Sequence, residues 1–243
     1  MVRGAGILMH ISSLPGKFGI GTFGKEAYEF VDFLKKSGIS YWQILPLGHT
    51  GYGDSPYQCF TAFAGNPYFI DFHMLEEDGL LKREDYINEH YGNNEERVDY
   101  GAIYNAKYKV LKKAYANYKN NKKIKEEFIK FKDDNKEWLE DYTLYMALKE
   151  EFNYKSWVDW EEDVKFRRKD ALNKYKDKLK NKIEYWGILQ YLFNKQWKKL
   201  KEYANNSGIK IIGDIPIYVS ADSVETWSSP EDFKINKETL EPT

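Results

Sequence analysis

Two short apolar runs flank a single helix-length segment near the start of this chain, and that spacing restricts the fold more than any other feature. Residues 5–10 read AGILMH and residues 41–46 read YWQILP. Short runs of this kind, bounded by Gly, Ser and Pro, read as buried strands. After the first run, ISSLPGKFGIGTFG reads as a loop from its Gly, Pro and Ser content. Then Ala27, Phe30, Val31 and Leu34 recur at the spacing of one helix face. Glu26 near its start and Gly38 past its end fit the usual polarity of helix signals. Strand, loop, helix and strand within about forty residues make a βαβ unit, so the two strands are expected to be parallel with a right-handed crossover.

The grammar then changes. From about residue 83 to 203 the chain is rich in Lys, Glu and Asn and reads as helix. Tyr108, Leu111, Tyr115 and Tyr118 recur every three or four residues, as do Ile183, Trp186, Leu189, Phe193, Trp197 and Leu200. Lysine runs such as Lys174 to Lys182 read as solvated helix faces. At Gly208 the β grammar returns with GIKIIGDIPIYV, expected as a third buried strand that holds Asp214. A closed (β/α)8 barrel has eight strands in about 250 residues. Three strands are read here. The expected fold class is therefore α/β: the N-terminal part of a (β/α)8 barrel, about three strands of eight, with a large helical insertion. Residues 1–243 form one incomplete barrel domain in this reading, with about 83–203 as the insertion.

Composition narrows the partners. With 37 basic and 38 acidic residues the net charge is −1, which offers nothing to nucleic acid or to an anionic membrane surface. The single cysteine, Cys59, suits a reducing compartment. No apolar run approaches the ~20 residues of a membrane span, and Gly4 to His10 is too short for a signal peptide. A cytoplasmic protein is the expectation. The 20 Tyr and 7 Trp mostly supply core, but some stand in loops beside Gly and Asp, where flat rings next to hydrogen-bonding groups suit sugars.

In parallel α/β folds the loops after the strand C-termini build the site. The loop after the second strand reads GHTGYGDSPYQ. Gly48, Gly51 and Gly53 are expected to turn the backbone sharply, and Pro56 to hold Tyr57. Tyr52 and Tyr57 then present ring faces while Asp54 and Ser55 brace the loop; the other reading is a tight loop with its tyrosines packed beneath it. His10 ends the first strand, as a ligand-facing group or as a packed imidazole. Asp214, a site carboxylate or a strand-end brace, is expected to be buried and so to need a partner. No metal-ligand spacing is present: His49, His73 and His90 are isolated. GIGTFG lies in a Pro-containing loop and makes a poor dinucleotide fingerprint.

Four stretches carry a resemblance: RGAGILMHISSLPGKFGIGTFG, YWQILPLGHTGYGDSPYQCFTAFAGNPYFID, RVDYGAIYNAKY and GIKIIGDIPIYVSADSVETWSSPEDF. They resemble, in family order, the N-terminal half of the amylomaltases, the 4-α-glucanotransferases of glycoside hydrolase family 77. The resemblance implies transfer of α-1,4-glucan segments between maltooligosaccharides, or to glucose, by a retaining double displacement, with no metal or organic cofactor. It implies that Tyr57 contacts the donor sugar beside the cleavage point, that Tyr52 belongs to a secondary glucan-binding surface with Tyr104 near the same aromatic region, and that Asp214 braces the active site.

The chain also departs from the family. The family's attacking aspartate lies in an R-x-D-H block, its acid/base glutamate in E-D-L-G and a third carboxylate in H-D-N, and none of these blocks occurs between Met1 and Thr243. No catalytic residue is therefore assigned in this chain; Asp54 and Glu225 are not nominated in their place. The catalytic carboxylates are expected downstream of Thr243. Three strands of eight would leave an open edge, so these 243 residues alone are expected to be poorly soluble or partly unfolded, and to have no transferase activity. Two other readings are a non-catalytic maltooligosaccharide-binding module and part of a related α-glucan hydrolase.

Overall fold

The computed structural model describes residues 3–94, 96–236 and 238–240. They fall into two compact units: Met1–Leu47, Gly65–Ile129 and Leu189–Ile215 form the first, and Gly48–Ala64, Lys130–Ile188 and Pro216–Thr243 the second.

The first unit holds the sheet. Strands β1 (Gly6–Leu8), β2 (Tyr41–Gln43) and β3 (Lys210–Ile212) are parallel in the order β1-β2-β3. The register sets Gly6, Tyr41 and Lys210 in one row and Leu8, Gln43 and Ile212 in another. Between these rows the other face carries Ile7, Trp42 and Ile211. Side chains alternate across a strand, so each face has its own environment. Trp42 is fully buried, and its indole N–H donates to the Met9 carbonyl at 2.7 Å. The opposite face is open: Leu8 is 55% and Ile212 44% exposed. The expectation of buried strands thus holds within the sheet only at Trp42: Leu8, Gln43 and Ile212 are all exposed. An all-apolar run marks a strand that can be covered on both faces, and here only the Trp42 face is covered.

The third run is also shorter than expected. Strand β3 stops at Ile212, so Asp214 lies beyond it and not within it. Helix α1 (Lys25–Lys36) joins β1 to β2 and buries Ala27, Val31 and Leu34. Gly38 follows it at φ 70°, the left-handed stop that a side chain resists. Helix α2 (Phe72–Glu77) is capped by Asp71, which accepts from the Met74 amide at 3.0 Å and from the Thr22 hydroxyl at 2.8 Å. Helix α3 (Tyr100–Tyr118) buries Ile103, Ala106, Lys107, Val110, Leu111, Ala114 and Tyr118. Its tyrosine rail, Tyr108 and Tyr115, runs half-buried beside that face.

Further helices are α4 (Lys122–Asp134), α5 (Lys136–Glu151), α6 (Glu162–Lys165), α7 (Lys169–Lys178), α8 (Lys180–Asn206) and α9 (Val224–Ser228). In the second unit, α5 buries every residue from Tyr142 to Lys149. Trp157, Trp160, Trp186 and Trp227 pack in that unit's core. Among the described residues no helix is long and apolar enough to cross a membrane.

Candidate functional site

The first unit brings two expected residues to one end of its sheet. His10 lies two residues past Leu8, and Asp214 two past Ile212, in strands that are level and parallel. Their strand ends therefore coincide, as the ligand ends of a parallel sheet do.

His10 is 7% exposed and sets its ring edge-on to Phe69 at 5.4 Å. Burial lowers its pKa to about 4, so the ring is neutral at ordinary pH. Its Nδ1 is buried and makes no hydrogen bond. A packed, satisfied imidazole is thus not what the structure shows. Asp214 is half-exposed, and its Oδ1 accepts from the Ile215 amide at 2.8 Å. This corrects the expectation of a buried carboxylate: the chain has already left the strand, and the following Ile215, Ile217 and Tyr218 are 76%, 84% and 81% exposed. Tyr104, on α3, is 40% exposed with its ring edge-on to Tyr108 at 5.1 Å.

The second unit holds the Gly-Tyr loop. It is a small hairpin: Thr50 and Cys59 form an antiparallel bridge, and the Gly51 amide donates to the Gln58 carbonyl at 2.8 Å. The tip turns through Gly53 at φ 90° and Asp54 at φ 52°. Three glycines were expected to turn; only Gly53 takes a positive φ. Gly48 serves close approach instead, since a Cβ there would come within 2.5 Å of the Cys59 sulfur. Asp54 accepts from the Thr50 hydroxyl at 3.4 Å, and Ser55 Oγ from the Tyr57 amide at 3.3 Å, so both brace the loop. Tyr52 is fully exposed at the tip and Tyr57 is 46% exposed. The alternative of tyrosines tucked beneath the loop fails for Tyr52.

What fills the space beneath is His49, a residue the sequence left isolated. It is 4% exposed, shares a 2.9 Å hydrogen bond with the Tyr142 hydroxyl, and packs against Phe60 and Trp186. Burial drives its pKa down to about 3. Cys59 is free and buried, with its thiol pushed up to about 11 by burial and by the Glu225 charge. Glu225 Oε1 is taken by one side chain and one backbone group: it accepts from the Thr61 hydroxyl at 2.5 Å and from the Ala62 amide at 3.0 Å. Among the described residues no three His, Cys, Asp or Glu side chains are grouped to hold a metal ion.

The sequence profile described as 4-alpha-glucanotransferase, glycoside hydrolase family 77, matches residues 9–242. The chain belongs to this family. Its 4-alpha-glucanotransferase relatives include that of Clostridium butyricum, 60% identical over 234 residues, with 96% of this chain and 48% of the relative covered. The Streptococcus pneumoniae 4-alpha-glucanotransferase is 49% identical over 233 residues, covering 96% of this chain and 46% of the relative. Among solved structures, the amylomaltase of Streptococcus agalactiae in complex with acarbose superposes with a TM-score of 0.95 and 46% identity, covering 98% of this chain and 48% of that one. The fold is thus part of the (β/α)8 barrel of this family, and the chain spans about half the length of the curated relatives it matches.

Proposed function

We propose that the whole protein is a 4-α-glucanotransferase that moves α-1,4-glucan segments between maltooligosaccharides, with glucose among its acceptors, in the cytoplasm. One observation carries this reading: 60% identity to a 4-alpha-glucanotransferase across 96% of this chain. The acarbose bound by the streptococcal amylomaltase supports a glucan ligand.

In this reading the 243 residues supply the donor-side platform and not the bond-breaking carboxylates. Tyr57, held by Ser55, stacks beside the sugar at the cleavage point. Tyr52 and Tyr104 carry a glucan further along. Asp214 braces the open end of the sheet, where its half-exposed carboxylate can accept from a sugar hydroxyl, and His10 supports that end from within. Residues 83–203 are an insertion in the barrel. A carboxylate from the rest of the protein attacks the anomeric carbon. A second one protonates the leaving oxygen and later takes the proton from the acceptor 4-hydroxyl, the two standing about 5–5.5 Å apart in a retaining site. No metal or organic cofactor enters this chemistry.

The test is product analysis of the whole protein on maltotriose. Glucose together with oligomers longer than the substrate supports transfer. Glucose and maltose alone mean an α-glucan hydrolase, and no turnover with retained glucan binding means a binding module. The 243 residues by themselves should show neither product.

A further inference from the structure

Lys107, on α3, is fully buried with very little to hold its ammonium group. An ammonium has three donors. Here it reaches one acceptor, the Ile70 carbonyl, at a long 3.4 Å. Its nitrogen otherwise lies against ring faces, 4.5 Å from the centre of Phe72 and 5.5 Å from that of Phe18. Such faces attract a cation but replace only part of its lost hydration. The carboxylate whose charge acts on it, Asp71, is already engaged: Oδ1 accepts from the Met74 amide and Oδ2 from the Thr22 hydroxyl.

One of the two rings belongs to a lightly tied segment. Phe18 stands in the loop of residues 14–21, which follows β1 at the ligand end of the sheet. Among the described residues no backbone hydrogen bond ties residues 16–20 to another part of the protein. The loop is held by contacts instead. Phe18 packs on Phe72 at 4.9 Å, on Tyr91 at 5.6 Å and on Tyr86 at 5.7 Å. Gly19, at φ 73°, sits so close that a Cβ would come within 2.1 Å of the Tyr91 carbonyl oxygen. Lys17, beside Phe18, is exposed. A segment with few backbone bonds and one buried anchor opens at a lower cost than the core around it.

The other ionisable groups at this packing are few. His73 lies 5.3 Å from the Phe18 ring and shares a 2.9 Å hydrogen bond with the Tyr86 hydroxyl, which also donates to Glu76. Burial raises the pKa of Tyr86 and of Tyr91, so both phenols keep their protons. Apart from Lys107, His73 is therefore the group here that can gain a charge in acid.

We propose that Lys107 is a proton-operated latch for the Phe18 loop: taking a proton from solvent favours an opened loop that lets water reach the ammonium, and losing it favours the seated loop. Linkage sets the direction. With the loop seated, burial lowers the lysine pKa from 10.5 to about 7, and water restores it when the loop opens. The open form therefore binds more protons between these values. Opening is rarest above pH 10.5, grows about tenfold per pH unit on the way down, and levels off below pH 7. The loop begins beside His10, so acid loosens the ligand end of the first unit while its core stays folded.

Tryptic cleavage of the whole native protein after Lys17 reads the opening. The rate is followed by mass spectrometry and divided by that of a free peptide of the same sequence, which removes the pH dependence of trypsin. The normalised rate should rise about tenfold per pH unit from pH 9 to pH 7. Lys107→Met, which keeps the bulk of the stem and carries no charge, should abolish the rise, and His73→Gln should keep it. A parent rate that does not change with pH, or a rise that survives Lys107→Met, overturns the latch. A rise lost in His73→Gln does so too, because the proton then belongs to the histidine. Cleavage after the buried Lys149 that climbs in parallel means global unfolding and also overturns it. If Lys107→Met fails to fold, the profiles of the parent and of His73→Gln still decide.

Discussion

Lys107 and Lys149 are equally buried, at 0% and 1% exposed, yet their surroundings are opposite. Lys149, in the second unit, is saturated. Its ammonium donates to Asp222 Oδ2 at 2.6 Å and to the carbonyls of Tyr154 and Lys155 at 3.0 and 2.8 Å. Asp222 Oδ1 in turn accepts from the Tyr145 hydroxyl at 2.7 Å and the Trp157 amide at 3.1 Å. Lys107, in the first unit, has one carbonyl, that of Ile70, at a long 3.4 Å. Its other neighbours are ring faces, Phe72 at 4.5 Å and Phe18 at 5.5 Å. Burial lowers its pKa to about 7, and the nearby Asp71 charge only partly resists that. A charge removed from water is tolerated when its donors are all used and titrates away when they are not. One lysine is held by an ion pair and two carbonyls; the other, with its pKa lowered to about 7, is poised to lose its proton near neutral pH.

The largest expected effect comes from removing the saturated partner. Lys149→Met should cost about 3 kcal/mol in urea unfolding, because it strands Asp222 and frees two carbonyls. It also releases the turn at Asn153 and Tyr154, both held at positive φ, 55° and 59°. If Lys149→Met costs no more than Lys107→Met, the contrast between the two lysines collapses.

Lys107→Met should do the reverse. The folded pKa, about 7, lies below the ordinary 10.5, so the unfolded chain binds more protons between those values. Stability from this group is complete above pH 10.5, falls as pH is lowered, and levels off below pH 7. Lys107→Met should flatten that slope and be more stable than the parent at pH 6, on the order of 2 kcal/mol. Thermal melts from pH 6 to 10 read it directly. A steep slope that survives the substitution would remove Lys107 as its source.

The buried histidines extend the same logic to acid. His10 titrates at about 4 and His49 at about 3, both held below 6.5 by burial. The unfolded chain therefore takes up their protons first, and their stability is lost as pH falls from 6.5 toward those values. His10→Gln should remove about 1 kcal/mol of this acid sensitivity between pH 6.5 and 5, measured by melts across that window.

Neither lysine was visible in the sequence as anything but surface. Lys107 sits in NAKYKVLKK and Lys149 in ALKEE, stretches whose charge density reads as solvated helix. The period that exposed α3 was carried by its tyrosines, while the fully buried positions include Lys107, which no hydrophobic count selects. Local signals did report what is local. Gly38 as a helix stop, the βαβ order and the exposed hairpin tip all follow from turn chemistry and spacing. His49 beneath the hairpin and the Asp222–Lys149 pair depend on residues 93 and 73 positions apart, which pattern reading along the chain does not connect. The exposed faces of Leu8 and Ile212 were misread for a related reason: an apolar run shows that a strand can be buried, not whether anything lies over it.

A third lysine fixes the lower end of the scale. Lys25 pairs with Glu29 one helical turn on, at 3.3 Å, and the two side chains are 78% and 60% exposed. Water already solvates both charges, and holding two long side chains in one geometry costs entropy, so the pair gains little. Lys25→Ala should change unfolding stability by less than about 0.5 kcal/mol, with a small loss that fades in added salt. Because Lys25 lies in the first turn of α1, where the helix dipole disfavours a cation, even that loss is partly offset. A cost for Lys25→Ala comparable with that of Lys149→Met would mean that burial and partner count do not rank the lysines of this protein.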